Sequence, residues 1–458
     1  MVLRNELRAT DAAAIGQYRD ALHGELLAPG DLDYDQARRV WNAMIDKRPT
    51  LIARCAGDGD VLRSVQFALD NDLTVAVRGG GHSVAGYSTC DDGLLIDLSM
   101  MKGMRVDVAR RTAVAQPGLR LGEFDRTTQE YGLATPLGIV ANTGIAGLTL
   151  GGGLGWLNGK HGLACDNLLA AHVVTADGRL LTASATEHED LFWGLRGGGG
   201  NFGIVTQFEY RLSPVGPVIG GMTVYPFSEA GQVLRRYAEL CHECPDELST
   251  AVFLIIGADG QPAVAVAVCY CGTLSTGEEV VKPYRGLGAA SADLVRSMSY
   301  VEQQGSFDAG FPPQRLHYWK AAFLRTITTD VIDVLLESLT RMPSSMSGIG
   351  LQHLHGAASR VGSADTAFPH RFDFWDVPIL AQWSNPGESE RNIAWARDTW
   401  SALQPFSEPG VYVNNLGIEG EDRVRAAYGT NYPRLAALKA AYDPNNVFRL
   451  NQNIKPAR

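Results

Sequence analysis

The chain of 458 residues has no surplus of basic side chains: 40 Lys and Arg stand against 50 Asp and Glu, for a formal charge of −10. That balance, with no local Lys/Arg block, argues against a nucleic-acid partner and leaves a small molecule as the expected one. Long apolar runs are also missing. No segment has the apolar length needed to span a bilayer, and MVLRNELRATDAAAIG at the start lacks the apolar core of a secretory leader. The sequence therefore reads as a cytoplasmic protein with no membrane partner, either a monomer or a homodimer. Cysteine is scarce, and its count is odd. Seven residues (55, 90, 165, 241, 244, 269, 271) form no even disulfide framework, which fits a reducing compartment. Cys241 and Cys244 make a lone Cys-x-x-Cys, and without a second pair at metal spacing no metal site is expected. Internal repeats and low-complexity linkers are absent as well.

Glycine is plentiful, and it is unevenly spread. Residues 60 to 71 place Val61, Leu62, Val65 and Leu69 on one helical face, and LTVAVRGG follows as a short buried strand that opens into a loop. Residues 93–99, 104–109 and 111–118 read as short strands, and 121–132 as a helix that buries Leu121, Phe124 and Thr128 and stops at Gly132. The segment 138–163 holds nine glycines, too many for a regular helix or strand. Residues 170–184 read as a hairpin turning at Asp177-Gly178. Beyond residue 215 strand patterns alternate with amphipathic helices, as expected of an antiparallel sheet covered by helices. GVYVNN (410–415) reads as a short strand in the tail.

Three glycine clusters, GGGHS (79–83), GIAGLTLGGGLG (144–155) and GGGGNFG (197–203), offer backbone N–H groups with no side chain in the way. Such loops can wrap a pyrophosphate or a flat ring, or they can simply be tight turns. None is a convincing dinucleotide fingerprint, because GLTLGGG does not open a helix after a strand.

With His82 and the tail, the pattern resembles a known family. Arg78, Gly80, Gly81, His82 and Tyr87 match an R-x-G-G-H motif followed five residues later by Tyr. YVNN (412–415), GEDRVRAAYG (420–429) and YDPNNVFRLNQNI (442–454) resemble a carboxy-terminal signature. Together they resemble FAD-linked oxidases of the vanillyl-alcohol-oxidase type, with a PCMH-type FAD-binding domain, in the branch of berberine bridge enzymes and 6-hydroxy-D-nicotine oxidase. The resemblance implies a two-lobe α+β fold. The FAD-binding domain would span 1–214, the substrate-binding domain 215–405, and a segment 406–458 would return to the first lobe.

It also implies FAD attached through its 8α carbon to His82, with O2 as electron acceptor. Val140 stands where many relatives carry a second, cysteinyl link, so no second link is expected, and Cys165 reads as buried and inert. Flavin contacts are implied for Arg78, Gly79, Gly80, Gly81, His82, Ser83, Gly86 and Tyr87 in the first loop. In the second they fall on Gly138, Thr143, Gly144, Gly147, Leu148, Gly152, Gly153 and Gly155. Asn201, Gly203, Val205, Tyr412, Asn414 and Asn451 complete the set. Small residues around Thr143 and Leu148 imply oxygen access.

For chemistry, the resemblance puts Tyr87 at the flavin face, as a base, a hydrogen-bond partner or a packing residue. Alternation in GLQHLHGAAS sets Gln352, Leu354 and Gly356 on one face and His353 and His355 on the other. Gln352 is the first substrate-lobe candidate, His355 a candidate base, and Asn414 a candidate for holding substrate or the flavin rim. No carboxylate lies between 350 and 356, which argues against a Glu-based mechanism. Trp383 and Tyr412 are candidates for an aromatic wall. The expected activity is hydride removal from an alcohol or amine of secondary-metabolite or alkaloid type, with H2O2 as product. An oxygenating flavoenzyme and an inactive flavin- or ligand-binding protein are the alternatives.

Overall fold

The computed structural model describes residues 11–457; residues 1–10, most of the stretch read above for a leader, lie outside them. Four strands, β1 (Glu25–Leu27), β2 (Leu51–Arg54), β3 (Val75–Arg78) and β4 (Leu94–Asp97), form a first sheet in the order β1–β2–β4–β3. β2, β4 and β3 are parallel, and the helix Asp58–Asp70 supplies the crossover that carries the chain from β2 to β3 on the far side of β4. It buries Val61, Ser64, Val65 and Ala68. Leu69, expected on that face, is 37% exposed, because at about 100° per residue it turns roughly 80° away from Val61.

A second, antiparallel sheet orders β5 (Met104–Asp107), β6 (Thr112–Ala115), β7 (Leu168–Val174), β8 (Leu180–Ser184) and β9 (Ile204–Arg211) as β5–β6–β9–β7–β8. The β7–β8 hairpin turns where Asp177-Gly178 indicates, with Gly178 at φ +75°. The helix Leu121–Gln129 buries Leu121, Phe124 and Thr128 and ends before Gly132, whose φ is +65°.

The third sheet is antiparallel throughout. β10 (Val218–Pro226), β11 (Leu248–Ile256), β12 (Pro262–Tyr270), β13 (Leu316–Leu324), β14 (Gly348–Leu354) and β15 (Phe374–Trp383) run in the order β10–β12–β11–β14–β15–β13. Helices Ala230–Cys241, Thr329–Thr340 and Ser389–Leu403 cover one face, packing Val233, Leu335 and Trp395 against Val252, Ile349 and Val377. Each such side chain contributes about 1.5–3 kcal/mol through burial. The opposite face is left for the first lobe. The chain is thus an α+β protein with helices gathered on one side of its large sheet.

Two local expectations change. The glycine-rich segment 138–163 is not free of helix: Ile145–Leu150 and Asn158–His161 are short helices set between glycine turns. GVYVNN is not a strand. Val413–Asn415 is a 3-10 turn, closed by Asn415 N–H on the Tyr412 carbonyl at 3.0 Å, and no strand pairs with it. The tail then returns to the first lobe through the helix Tyr432–Tyr442, whose Leu435 and Leu438 join the core of Leu195 and Phe202.

Candidate active site

The glycine clusters meet backbone to backbone. A Cβ on Gly80 would lie 2.5 Å from Gly144 Cα, so only glycine on glycine lets the 79–83 and 143–147 loops touch. The loops, the third sheet and the tail together enclose a cavity of ≈ 380 Å³. Its first-lobe wall includes Gly79, Gly80, Gly81, His82, Ser83, Tyr87, Gly138, Thr143, Gly144, Gly147, Leu148, Gly203 and Val205; Gln352 faces it from the large sheet, and Tyr412, Asn414 and Asn451 from the tail. A Cβ on Gly147 or Gly200 would meet no atom within 4 Å. A side chain at either position would therefore fill the cavity itself, as expected of a cradle for a large flat ligand.

Not every residue implied by the resemblance lies on that wall. Arg78 turns away to pair with Asp97 at 2.7 Å and bonds the Arg39 carbonyl, anchoring the loop from behind. Gly86 is a turn at φ +74° pressed on Ile45. Gly152, Gly153 and Gly155 are packing glycines: a Cβ on each would strike Phe368, Ala164 or the Leu137 carbonyl. Asn201 ties the tail instead, donating to the Gln452 carbonyl at 3.3 Å and accepting from Ile454 N–H at 3.0 Å.

His82 sits between this cavity and a second, more polar cleft lined by Arg39, Arg78, Asp97 and Arg120. Its Nε2 is buried without a partner, and burial pushes its pKa down to about 4. The ring is therefore a neutral imidazole at physiological pH. Trp41 holds it in place, stacked on His82 at 4.0 Å and on His317 at 3.7 Å, with its Nε1–H on the Phe311 carbonyl at 3.1 Å. Neither Trp41 nor His317 carries any signal in the sequence, since 41, 82 and 317 meet only through the tertiary fold.

The large sheet separates the two predicted substrate-lobe residues. Gln352 reaches the cavity, whereas His355 lies behind the sheet, its Nε2 on the Leu248 carbonyl at 2.9 Å. His355 is thus not in position to act as a base. The group missed is Asp376. It pairs in register with Gln352 across β14 and β15, lines the same cavity and is buried. Asn415 Nδ2 donates to its Oδ2 at 2.7 Å, while Oδ1 has no partner. Burial raises its pKa to about 8. A charged residue inside the apolar run FWDVPILAQW was the available signal.

Asn414 spends its amide on the Leu148 carbonyl (3.2 Å) and the Tyr412 hydroxyl (2.7 Å). It braces the tail against the glycine loop and has no N–H left for a substrate. Tyr412 accepts that bond and one from Gly153 N–H at 3.0 Å, so its own O–H remains free. Trp383 is core, bonded to Ser389; the aromatic wall is made by Phe253, Phe311 and Trp319 with Tyr412. Val140 lines the cavity, and Cys165 lies outside it beside Asp166 and Arg371, its thiol pushed up by burial. Cys241 and Cys244 point to different partners, Cys241 to Thr250 and Cys244 to His355.

Residues 49–184 match the family model of an FAD binding domain and residues 411–455 that of berberine and berberine-like proteins. The chain is 33% identical to the (R)-6-hydroxynicotine oxidase of Paenarthrobacter nicotinovorans, over 95% of this chain and 97% of that protein. It is 32% identical to the FAD-linked oxidoreductase YgaK of Bacillus subtilis strain 168, over 95% and 98% respectively. Among solved structures, 6-hydroxy-D-nicotine oxidase from Arthrobacter nicotinovorans superposes with a TM-score of 0.88 at 32% identity, covering 95% of this chain and 98% of that one.

Proposed function

The chain belongs to the FAD-linked oxidoreductases of the berberine-bridge and nicotine-oxidase branch, and from that premise we propose that it is an oxidase whose FAD is bound covalently to His82 alone. The substrate is a small alcohol or amine. The observation that carries the reading is the pairing of Asp376 with Gln352 on the wall opposite the His82 loop. Bound there, FAD would supply the hydride acceptor for the C–H beside oxygen or nitrogen, with O2 as the final acceptor of two electrons and two protons to give H2O2.

The protein's own groups do the rest. In its ionised form, which prevails above its raised pKa of about 8, Asp376 takes the hydroxyl or amine proton at Oδ1, the oxygen that no protein group engages. Gln352, directly across the ladder, orients the same polar group of the substrate. Phe253, Phe311 and Trp319 exclude water and favour a substrate with an apolar or aromatic body. A neutral His82 keeps a lone pair available for the tether, which fits the ring's depressed pKa and unpartnered Nε2. Val140, in place of a cysteine, supports the absence of a second link.

The test is acid precipitation of the purified protein with peptide mass analysis of the pellet. Flavin is expected on the peptide containing His82 and on no other, and His82→Ala should release all of it; flavin retained by that variant would reassign the tether. Peroxide release at one equivalent per product, with no label from 18O2 in the product, separates an oxidase from an oxygenating enzyme.

A further inference from the structure

Strand β14 has two working faces. One presents Gln352 to the cavity, and the reverse face carries His353, with His355 just past the strand end. The two imidazoles stack with centroids 4.6 Å apart and planes 18° from parallel. Cys244, from the turn after the helix Ala230–Cys241, brings its Sγ to 3.6 Å from His355 Nε2. The thiol and one nitrogen of each histidine lie within 4.8 Å of one another. His353 Nε2 is bonded to Asp373 Oδ1 at 2.7 Å, and its Nδ1 is buried with no partner in a residue only 4% exposed. A buried ring held by a carboxylate on one nitrogen and unengaged on the other is the arrangement that orients metal-binding histidines.

We propose that Cys244, His353 and His355 form a binding site for a thiophilic d10 cation, Zn2+ or Cu+, on the back of the substrate sheet. Ligand type sets the class. A thiol and two imidazoles suit soft or borderline cations, and the two nearby carboxylates are spent elsewhere, Asp373 on His353 and Asp246 on Arg360, which disfavours Mg2+ and Ca2+. Geometry agrees. Ligand atoms around tetrahedral zinc stand roughly 3.3–3.6 Å apart; the Cys244–His355 pair already has that spacing, and a His353 nitrogen lies within 4.8 Å of both. The Leu248 carbonyl, 2.9 Å from His355 Nε2 and 3.4 Å from Cys244 Sγ, is the nearest fourth donor.

Protons and charge balance. Metal binding replaces the thiol hydrogen of Cys244, releasing one proton. His353 donates the lone pair of Nδ1 while its Nε2–H stays on Asp373. His355 moves its proton from Nε2 to Nδ1, breaking the bond to Leu248. With the thiolate and the Asp373 carboxylate both counted, Zn2+ gives a neutral cluster, whereas Cu+ leaves one negative charge on the solvent-exposed Asp373. A buried site favours a neutral cluster.

The experiment uses the flavin-loaded, full-length protein. It is equilibrated separately with Zn2+, and with Cu+ kept reduced under anaerobic conditions, then dialysed, and metal per chain is counted by mass spectrometry. One equivalent of at least one cation is expected in the wild type, lost in Cys244→Ser and in His353→Gln and kept in the control Cys271→Ser. Asp373→Asn should weaken binding by about 10–100-fold, the effect of losing a histidine's outer partner. Should a ligand variant fail to fold, X-ray absorption on the wild type decides, with one sulfur and two imidazole ligands expected. The proposal is overturned if neither cation is retained, if both ligand variants retain metal as the wild type does, or if the absorption spectrum shows no sulfur.

Discussion

Asp376 occupies a position that is costly for a carboxylate, fully buried with one neutral amide as its partner and one oxygen unengaged. Such groups persist where chemistry needs them. As a base it must be ionised, so kcat/KM should rise with pH through about 8 and level off above it. Asp376→Asn should lower kcat/KM by about 10²–10⁴-fold and remove that limb; a variant that keeps both rate and limb would hand the role to another group. Steady-state rates across pH read this directly, and the same limb in both proteins would reveal the titration of the substrate. At this scale the sequence was readable wherever a period of two could be applied. Alternation set Gln352 and His353 on opposite faces of one strand, and His355, just past its end, stacks on His353 and so does not share the cavity with Gln352. It could not show which strand would lie beside Gln352, because pairing of residues 352 and 376 is a property of register.

Among elements, the returning tail depends on a buried ion pair. Lys439 and Asp443 are both fully buried, with Nζ on Oδ2 at 2.6 Å, and Nζ also donates to the carbonyls of Asn201 and Phe448. Asp443 accepts in turn from Val447 and Phe448 N–H. Lys439→Met would leave that carboxylate uncompensated and should cost about 3–5 kcal/mol, seen as a lower Tm and as faster proteolysis after residue 443. The tail signature was legible as a motif but not as a shape. YVNN has the composition of a strand, yet its asparagine side chains are taken up by Leu148, Tyr412 and Asp376 and its backbone closes on itself as a 3-10 turn. The glycine clusters misled in a similar way. Sequence marks where side chains are absent, whereas only the fold tells a glycine that faces the cavity, such as Gly147, from one that faces Phe368, such as Gly152.

The lobes share apolar clusters, Trp156 and Leu157 with Ala251 and Tyr300, and Leu154 and Leu163 with Leu354 and Phe368, and polar contacts cross the same boundary. Gln304 Nε2 donates to the Gly138 carbonyl at 2.8 Å, Ala141 N–H to Asp308 at 2.7 Å, and Arg371 pairs with Asp166 at 2.6 Å. At this boundary the helix Leu121–Gln129 packs on Tyr300–Gly305, where Asp125 is buried with both oxygens unpartnered and its pKa raised well above the carboxylate range by desolvation. A raised pKa means that the folded state binds the proton more tightly than the unfolded one. Stability from this group is thus full below its unfolded value of about 4 and is lost as pH rises toward the folded value. Asp125→Asn should therefore gain Tm relative to the wild type as pH increases, and an unchanging difference between pH 5 and 9 would refute the assignment. Among the described residues no helix is long and apolar enough to cross a membrane.

The stack of Trp41 between His82 and His317 also bears on the order of assembly. His82 belongs to the first lobe and His317 to β13 of the large sheet, while Asn42 bonds both the N–H and the carbonyl of His317 at 3.1 Å. The imidazole is therefore oriented only once the two lobes have closed on each other. On the proposed tether, attachment of flavin at that ring would be a late act of maturation, and a chain labelled at His82 would carry a permanent record of having closed its lobes.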